Sequence, residues 1–401
     1  VNDMTSKKER APAERLENVR FSPIRTILEK AREMERTGGK VISFGVGEPD
    51  FPTPAPIKQA TAEALAHDRT HYSSNRGVLE LRQEISGLLK RSTGLTYDPV
   101  EEILVTTGGA EAIHHAFTAF LDPGDEVIIP TPAFVNYENA VRLCGAVPVL
   151  LPLRPERRLQ LDVQDLAARV GEKTRMIVIN NPCNPTGAVY TREQLEGICR
   201  LARDKGLFVF ADEIYNRLIY EGEFHSVASF PGMKEHTLLM NGFSKTYAMT
   251  GWRVGYLAVD KRWMGPLLKV HQYTTTSGNT FVQEGTAKGL KSPETEAAVQ
   301  EMLRRFAIRR DLVLQCLEDI RGLSYIRPDG AFYILVNVAA TGMTGEEFSA
   351  ALLDEGRVAT IPAVGFGAEF GDYIRLSFAT SDDDIRQGFV VMKEFVEKRL
   401  R

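Results

Sequence analysis

The stretch "EILVTTGGAEAIHHAFTAFLDPGDEVIIP", residues 102–130, decides the fold class. It opens on a short β-rich run, "EILVTT". The pair Gly108-Gly109 interrupts that run and opens a second pattern. Ala112, Ile113, Ala116, Phe117 and Phe120 recur at helical spacing. A second β-rich run, "DEVIIP", follows. Strand, helix and strand therefore succeed one another in a single short segment.

The same alternation continues to about residue 260. The further runs are "AVPVLLPL", "RMIVINNP", "LFVFADEI", "TLLMNGFS" and "RVGYLAVD". Most are nearly continuously apolar, as strands covered on both faces are. The pattern predicts an α/β fold with an open, mainly parallel sheet flanked by helices. The last third changes character. "SPETEAAVQEMLRRFAIRRDLVLQCLEDI" reads as one long helix from about 293 to 320. "GAFYILVNV", "RVATIPAV" and "YIRLSFAT" follow, with helices between and after, as in a smaller α+β unit. The segment from about 12 to 37 reads as helical and is expected to pack on that unit. The expected division is a flexible leader over 1–11 and an N-terminal arm with part of the small domain over 12–48. A large ligand-binding domain covers 49–292, and a small C-terminal domain, entered by a long interdomain helix, covers 293–401. The absence of an initial methionine reads as processing or as an engineered start.

Composition narrows the partners. The chain has 401 residues, 43% of them apolar, and a formal charge of -4. That balance gives no reason to expect nucleic acid or a membrane. No apolar run is long enough to span a bilayer, and no signal peptide is evident. Cys144, Cys183, Cys199 and Cys316 are widely spaced. They fit a reducing, cytoplasmic compartment better than a disulfide framework or a zinc site.

In open α/β sheets, ligands bind beyond the carboxyl ends of the strands. After "ILVTT" come Gly108, Gly109 and Ala110, opening a helix. After "EVIIP" comes Phe134. After "MIVIN" comes "NPCNPTG" with Asn184. After "LFVFA" come Asp212 and, three residues on, Tyr215. After "TLLMNGF" come Ser244 and Lys245, with Arg253 eight positions beyond the lysine. An aldehyde cofactor with a phosphate and a protonatable ring nitrogen, pyridoxal 5'-phosphate, would use them all. Lysine condenses with an aldehyde. A carboxylate keeps the pyridine nitrogen protonated, so the ring accepts electrons. Glycines at a helix start let N–H groups approach phosphate, and a guanidinium binds it too.

At these residues the chain resembles the fold-type I, class I/II aminotransferases, near the bacterial aspartate/aromatic subgroup. "GVGEPDFPTP", "NPCNPTG", "ADEIY", "SKTYAMTGWRVGY" and "YIRLSFA" stand in the expected order. The resemblance covers essentially everything after the leader. It implies that Lys245 is the catalytic lysine that holds the cofactor aldehyde, with Asp212 at the pyridine nitrogen. Asn184 and Tyr215 would bond the ring hydroxyl oxygen, and Phe134 would stack on the ring. Gly109, Ala110 and Arg253 would bind the phosphate. Tyr72 would reach the phosphate across a homodimer interface, and "TTTSGN" at 274–279 would line the site from that interface. Arg375 would grip the substrate carboxylate, and Gly47 would lie over the substrate. The implied activity moves the α-amino group of an L-amino acid to a 2-oxo acid by a ping-pong route. A carbon–sulfur β-lyase on the same fold is the alternative.

Three positions depart from the family pattern. Gly242 replaces a phosphate-binding serine, so Ser244 or a backbone group must compensate. Phe134 stands where Trp or Tyr is common. Ala110 stands where aspartate-selective members carry a lysine, which favours a neutral or aromatic donor. Plainer readings compete elsewhere. Asp212 could cap a helix. Arg375, alternating with Ile374 and Leu376, could form a surface ion pair. Cys183 reads as a small buried thiol. Gly45 and Gly47 lack the third glycine of a dinucleotide fingerprint. His114 and His115 have no metal partners at ligand spacing, so no metal site is expected.

Overall fold

The computed structural model describes residues 12–19, 21 and 23–400. The expected leader over 1–11 lies outside the described residues. A short strand, Ile42–Ser43 (β1), precedes the central sheet. That sheet is built from Ile103–Thr106 (β2), Glu126–Thr131 (β3), Val147–Pro152 (β4), Thr174–Asn180 (β5), Phe208–Asp212 (β6), Thr237–Gly242 (β7) and Gly255–Ala258 (β8). All seven apolar runs are strands. β2, β6, β7 and β8 are buried along their whole length, which is why their sequences lack a polar face.

The order across the sheet is β2-β8-β7-β6-β5-β3-β4. Pairs from β7 through β4 are parallel, while β8 runs antiparallel to β2 and β7. The two strands of the opening stretch are therefore not neighbours. The helix Gly109–Phe120 carries the chain across β8, β7, β6 and β5. The winding reverses between β3 and β5, the kind of switch point at which such sheets bind ligands.

A second sheet holds Ser324–Ile326 (β9), Tyr333–Asn337 (β10), Ile361–Pro362 and Tyr373–Ser377. With Val358–Ala359 as β11, the last two are β12 and β13. Its order is β12-β13-β10-β9, all antiparallel. β1 pairs in parallel with β11, so the N-terminal segment joins the C-terminal unit.

The linking helix Pro293–Glu318 starts where sequence chemistry predicts. Ser292 accepts from the Glu294 N–H, Pro293 takes the first turn, and Glu294 and Glu296 face the positive end of the dipole. From this helix the buried Arg309 reaches Asp50 at 2.6 Å and Asp382 at 3.1 Å. This fastens the "GEPD" loop to the C-terminal helix. The N-terminal helix is shorter than expected. It runs from Pro23 to Gly38, with a separate turn at Glu14–Leu16. Proline suits a first helical turn but not an interior.

Candidate active site

β5, β6 and β7 end side by side, with Asn180 opposite Asp212 and Asp212 opposite Met240. Beyond these ends lies a cavity of about 490 Å³. Gly47, Gly109, Ala110, Phe134, Asn184, Asp212, Tyr215, Ser244, Lys245, Arg253 and Arg375 line it, and Tyr72 does not. Tyr72 is 86% exposed and stands away from the cavity of its own chain. Residues 274–279 do not line that cavity either. A larger recess of about 710 Å³, bordered by Arg91, Arg217 and Glu296, holds none of the nominated residues.

Asp212 is buried at the end of β6. Its Oδ2 accepts from the Tyr137 hydroxyl at 2.6 Å, and Oδ1 accepts from the Ile214 N–H at 3.1 Å. Burial pushes its carboxyl up to about 6, against the pull of these donors and of Lys245. A turn, not a helix, follows Asp212, so the capping reading does not hold. Asn180 Oδ1 accepts from the Asn184 N–H at 2.8 Å, which fixes the start of the "NPTG" turn.

Lys245 projects into the same space. Its Nζ donates to the Gly47 carbonyl at 2.5 Å. Burial lowers its ammonium to about 8, and Arg375 and Arg253 push in the same direction. Glu48 and Asp212 oppose that shift. Position 47 must be glycine for this backbone to pack here, since a Cβ would meet the Tyr333 hydroxyl at 2.7 Å.

Arg375 sits at the centre of β13 and is 1% exposed. It donates from Nη1 to Asn184 Oδ1 at 3.1 Å and from Nη2 to the Gly45 carbonyl at 2.8 Å. Its Nε has no partner among the described residues. The rings of Tyr333 and Phe366 lie 4.6 Å and 5.0 Å from its guanidinium carbon. Among the described residues, no carboxylate pairs with it, so the surface ion-pair reading also fails.

The helix Gly109–Phe120 aims its free N–H groups at the cavity. Gly108, with φ +79°, brings its backbone against Arg253, where a Cβ would meet Nη2 at 2.5 Å. Arg253 itself has φ +57° and donates to the Thr250 carbonyl at 2.8 Å. Cys183 is buried and burial raises its thiol, so it is no nucleophile here.

Sequence reasoning missed two tyrosines. Tyr137 holds Asp212, and Tyr333 exchanges a hydrogen bond with Tyr215 at 2.9 Å while stacking on Arg375. Tyr137 lies three residues past Phe134, at helical spacing, which was a usable signal. Tyr333 had none.

The residues fit pyridoxal 5'-phosphate. A buried carboxylate, a lysine depressed toward neutrality and a helix N-terminus with an adjoining guanidinium converge on one cavity. Arg375, which lines that cavity and has no carboxylate partner among the described residues, offers a cation for a substrate anion.

Comparison with known proteins agrees. Residues 39–390 match the model of "Aminotransferase class I and II". The chain is 41% identical to an aspartate aminotransferase of Pyrococcus abyssi, over 97% of this chain and 100% of that one. It is 39% identical to aromatic-amino-acid aminotransferase 2 of Thermococcus litoralis, over 97% and 99%. The structure of the Thermus thermophilus aspartate aminotransferase with maleate superposes with a TM-score of 0.92 at 36% identity, covering 96% and 99% of the two chains. The chain belongs to the class I and II aminotransferases and is a pyridoxal-phosphate-dependent enzyme acting on amino acids and 2-oxo acids.

Proposed function

We propose that this cavity moves the α-amino group of a neutral or aromatic L-amino acid to a 2-oxo acid in a ping-pong cycle. The observation that carries the reading is Arg375, a fully buried guanidinium with no carboxylate partner among the described residues, in the same cavity as Lys245. A buried unpaired cation is costly, and a substrate carboxylate would relieve it. The planar fork suits that group in a bidentate pair.

The residue roles follow from this. Asp212, Asn184, Tyr215, Phe134, Gly109, Ala110, Ser244 and Arg253 hold the cofactor, and Lys245 tethers it. When bound, pyridoxal phosphate supplies the aldehyde that takes up the amino group and a ring that accepts the electron pair left at Cα. Arg375 and Asn184 orient the substrate carboxylate, and the Gly47 backbone closes over it. Lys245 Nζ removes the Cα proton and redelivers it, for which an amine near pKa 8 is suited. Tyr72 and Tyr273, 86% and 85% exposed, support a homodimer in which the partner completes each site. The division at 12–48, 49–292 and 293–401 fits the pairing of β1 with β11. We assign the enzyme to the cytoplasm; no described helix is long and apolar enough to cross a membrane.

One observation favours a second donor class. Arg32, exposed on the N-terminal helix, lines the cavity and has no ion pair with a described residue. It could meet a second carboxylate, the task that Ala110 cannot perform. Mixing the coloured holoenzyme with single amino acids separates the two. Bleaching by neutral and aromatic donors supports the first reading. Bleaching by aspartate or glutamate that is lost in Arg32→Ala supports the second.

A further inference from the structure

Behind the phosphate-facing helix lies a cluster outside the catalytic cavity. Glu111 and His115 sit one turn apart on the helix Gly109–Phe120. His271 approaches them from the neighbouring helix Lys261–Thr274. Both histidines are 0% exposed. Among the described residues, neither ring nitrogen of His271 has a hydrogen-bond partner, although the Asn75 backbone lies close enough to favour a charged ring. Buried imidazole nitrogens are ordinarily satisfied. This one is aimed at the cluster, with Nδ1 3.7 Å from Glu111 Oε1.

The remaining groups are prepared as ligands. His115 Nδ1 contacts the Glu111 carbonyl at 2.6 Å. A carbonyl only accepts, so Nδ1 carries the proton and Nε2 keeps its lone pair. Such a backbone contact commonly fixes the tautomer of a metal-binding histidine. Nε2 lies 3.7 Å from Glu111 Oε1 and 2.9 Å from the Thr274 hydroxyl, which also reaches the Val270 carbonyl at 2.9 Å and can give its proton there when an ion takes Nε2. Glu111 receives the Thr275 hydroxyl and the Thr107 N–H, and each carboxylate oxygen retains a free lone pair.

We propose that Glu111 Oε1, His115 Nε2 and His271 Nδ1 bind one borderline divalent cation, zinc(II) or a chemical equivalent. The three atoms lie within 4.8 Å of one another. A tetrahedral zinc with ligands at about 2.0–2.1 Å spaces them roughly 3.4 Å apart. The two 3.7 Å gaps to Glu111 Oε1 close with shifts of a few tenths of an ångström, and the two imidazoles, whose ligand atoms lie within 4.8 Å, turn toward each other to complete the set. Two imidazoles on one such ion hold their ring centres about 5 Å apart, from the same bond lengths; here they are 5.2 Å apart. Two nitrogens and one carboxylate oxygen favour zinc, cobalt or nickel over calcium or magnesium. The ion would tie the phosphate-cradling helix to its neighbour. It would also offset the Glu111 charge beside an anion-binding helix start.

The test uses chelator-treated holoenzyme titrated with cobalt(II). The expected result is one equivalent bound per chain, with the visible band of a low-symmetry cobalt site, displaced by zinc(II). His271→Gln and His115→Gln should each weaken binding at least tenfold. Where one variant loses its circular dichroism, the other carries the comparison. Absence of tight cobalt binding by the folded wild type overturns the proposal. So does stoichiometric binding that survives in a folded variant.

Discussion

Arg375 Nη1 donates to Asn184 Oδ1 across 3.1 Å, and this bond links the second sheet to a cofactor-facing loop of the first. The guanidinium is already held in place by Asn184 and by the Gly45 carbonyl. A substrate carboxylate would meet a pre-oriented fork and lose little entropy in docking. Arg375→Ala should cut kcat/KM for amino acids roughly 10- to 150-fold, the loss of a charged hydrogen bond worth about 1.5–3 kcal/mol. Cofactor affinity should change far less. Steady-state kinetics beside a cofactor titration make the comparison, and an equal loss in both would refute the assignment.

The lysine gives a pH prediction. Only a neutral amine attacks an aldehyde. With the Lys245 ammonium lowered by burial to about 8, its neutral fraction falls about tenfold per pH unit below that point and levels above it. Stopped-flow capture of pyridoxal phosphate by the cofactor-free enzyme should follow that curve. Borohydride reduction should then label Lys245. A curve still rising steeply at pH 10 would mean that burial does not depress this amine.

Tyr137 should tune Asp212. Its hydroxyl is a short donor to a buried carboxylate. In Tyr137→Phe that donor is gone, so the Asp212 carboxyl should rise beyond about 6. The carboxylate would then protonate nearer neutral pH and release its ring partner. Cofactor affinity at pH 7 should fall about five- to tenfold, matching roughly 1 kcal/mol for one hydrogen bond, and recover as pH rises. A loss that is flat across pH would show that the hydroxyl acts only by packing.

Gly108→Ala addresses the phosphate cradle. The substitution meets a left-handed φ of +79° and the Arg253 guanidinium at 2.5 Å. The backbone alone, at ψ 174° in a region open essentially only to glycine, costs about 1–3 kcal/mol, and Arg253 must also move. Inorganic phosphate should protect the wild type against thermal unfolding and fail to protect the variant. Equal protection of both would remove Gly108 and Arg253 from the anion site.

These contacts show what sequence can and cannot carry. The strands were legible because burial on both faces forbids polar residues, as in β6 and β7. Asp212, Lys245 and Arg375 were legible because charge stands out beside such runs. The order of the strands was not, since Gly255 pairs locally with Gly242 on one side but on the other with Thr106, from far earlier in the chain. Tyr137 and Tyr333 look like ordinary core aromatics, and their roles depend on which hydroxyl meets which oxygen. His271 is more than one hundred and fifty residues from His115 in the chain. Ligand spacing, a local property, could not bring them together.

Glu213, next to Asp212, gives a prediction about stability. Ser226 and the Val227 N–H both donate to its Oε1, at 2.7 Å and 3.2 Å, while Oε2 has no partner among the described residues. Burial raises its carboxyl to about 8, whereas an unfolded glutamate titrates near 4.3. The folded value is the higher one. Its contribution is therefore complete below about pH 4.3 and is lost as pH rises toward 8. Between those limits the unfolded chain binds about one proton fewer at this residue. Stability should fall by about 1.4 kcal/mol per pH unit from this group, and by a few kcal/mol in all. Glu213→Gln keeps the shape and the acceptor for Ser226 but cannot ionise. Urea unfolding of both holoenzymes from pH 5 to 9 isolates the effect, because other titrations cancel in the difference. The variant should gain on the wild type steadily with pH and level off above 8; parallel curves would mean that Glu213 is ionised in the native fold at neutral pH.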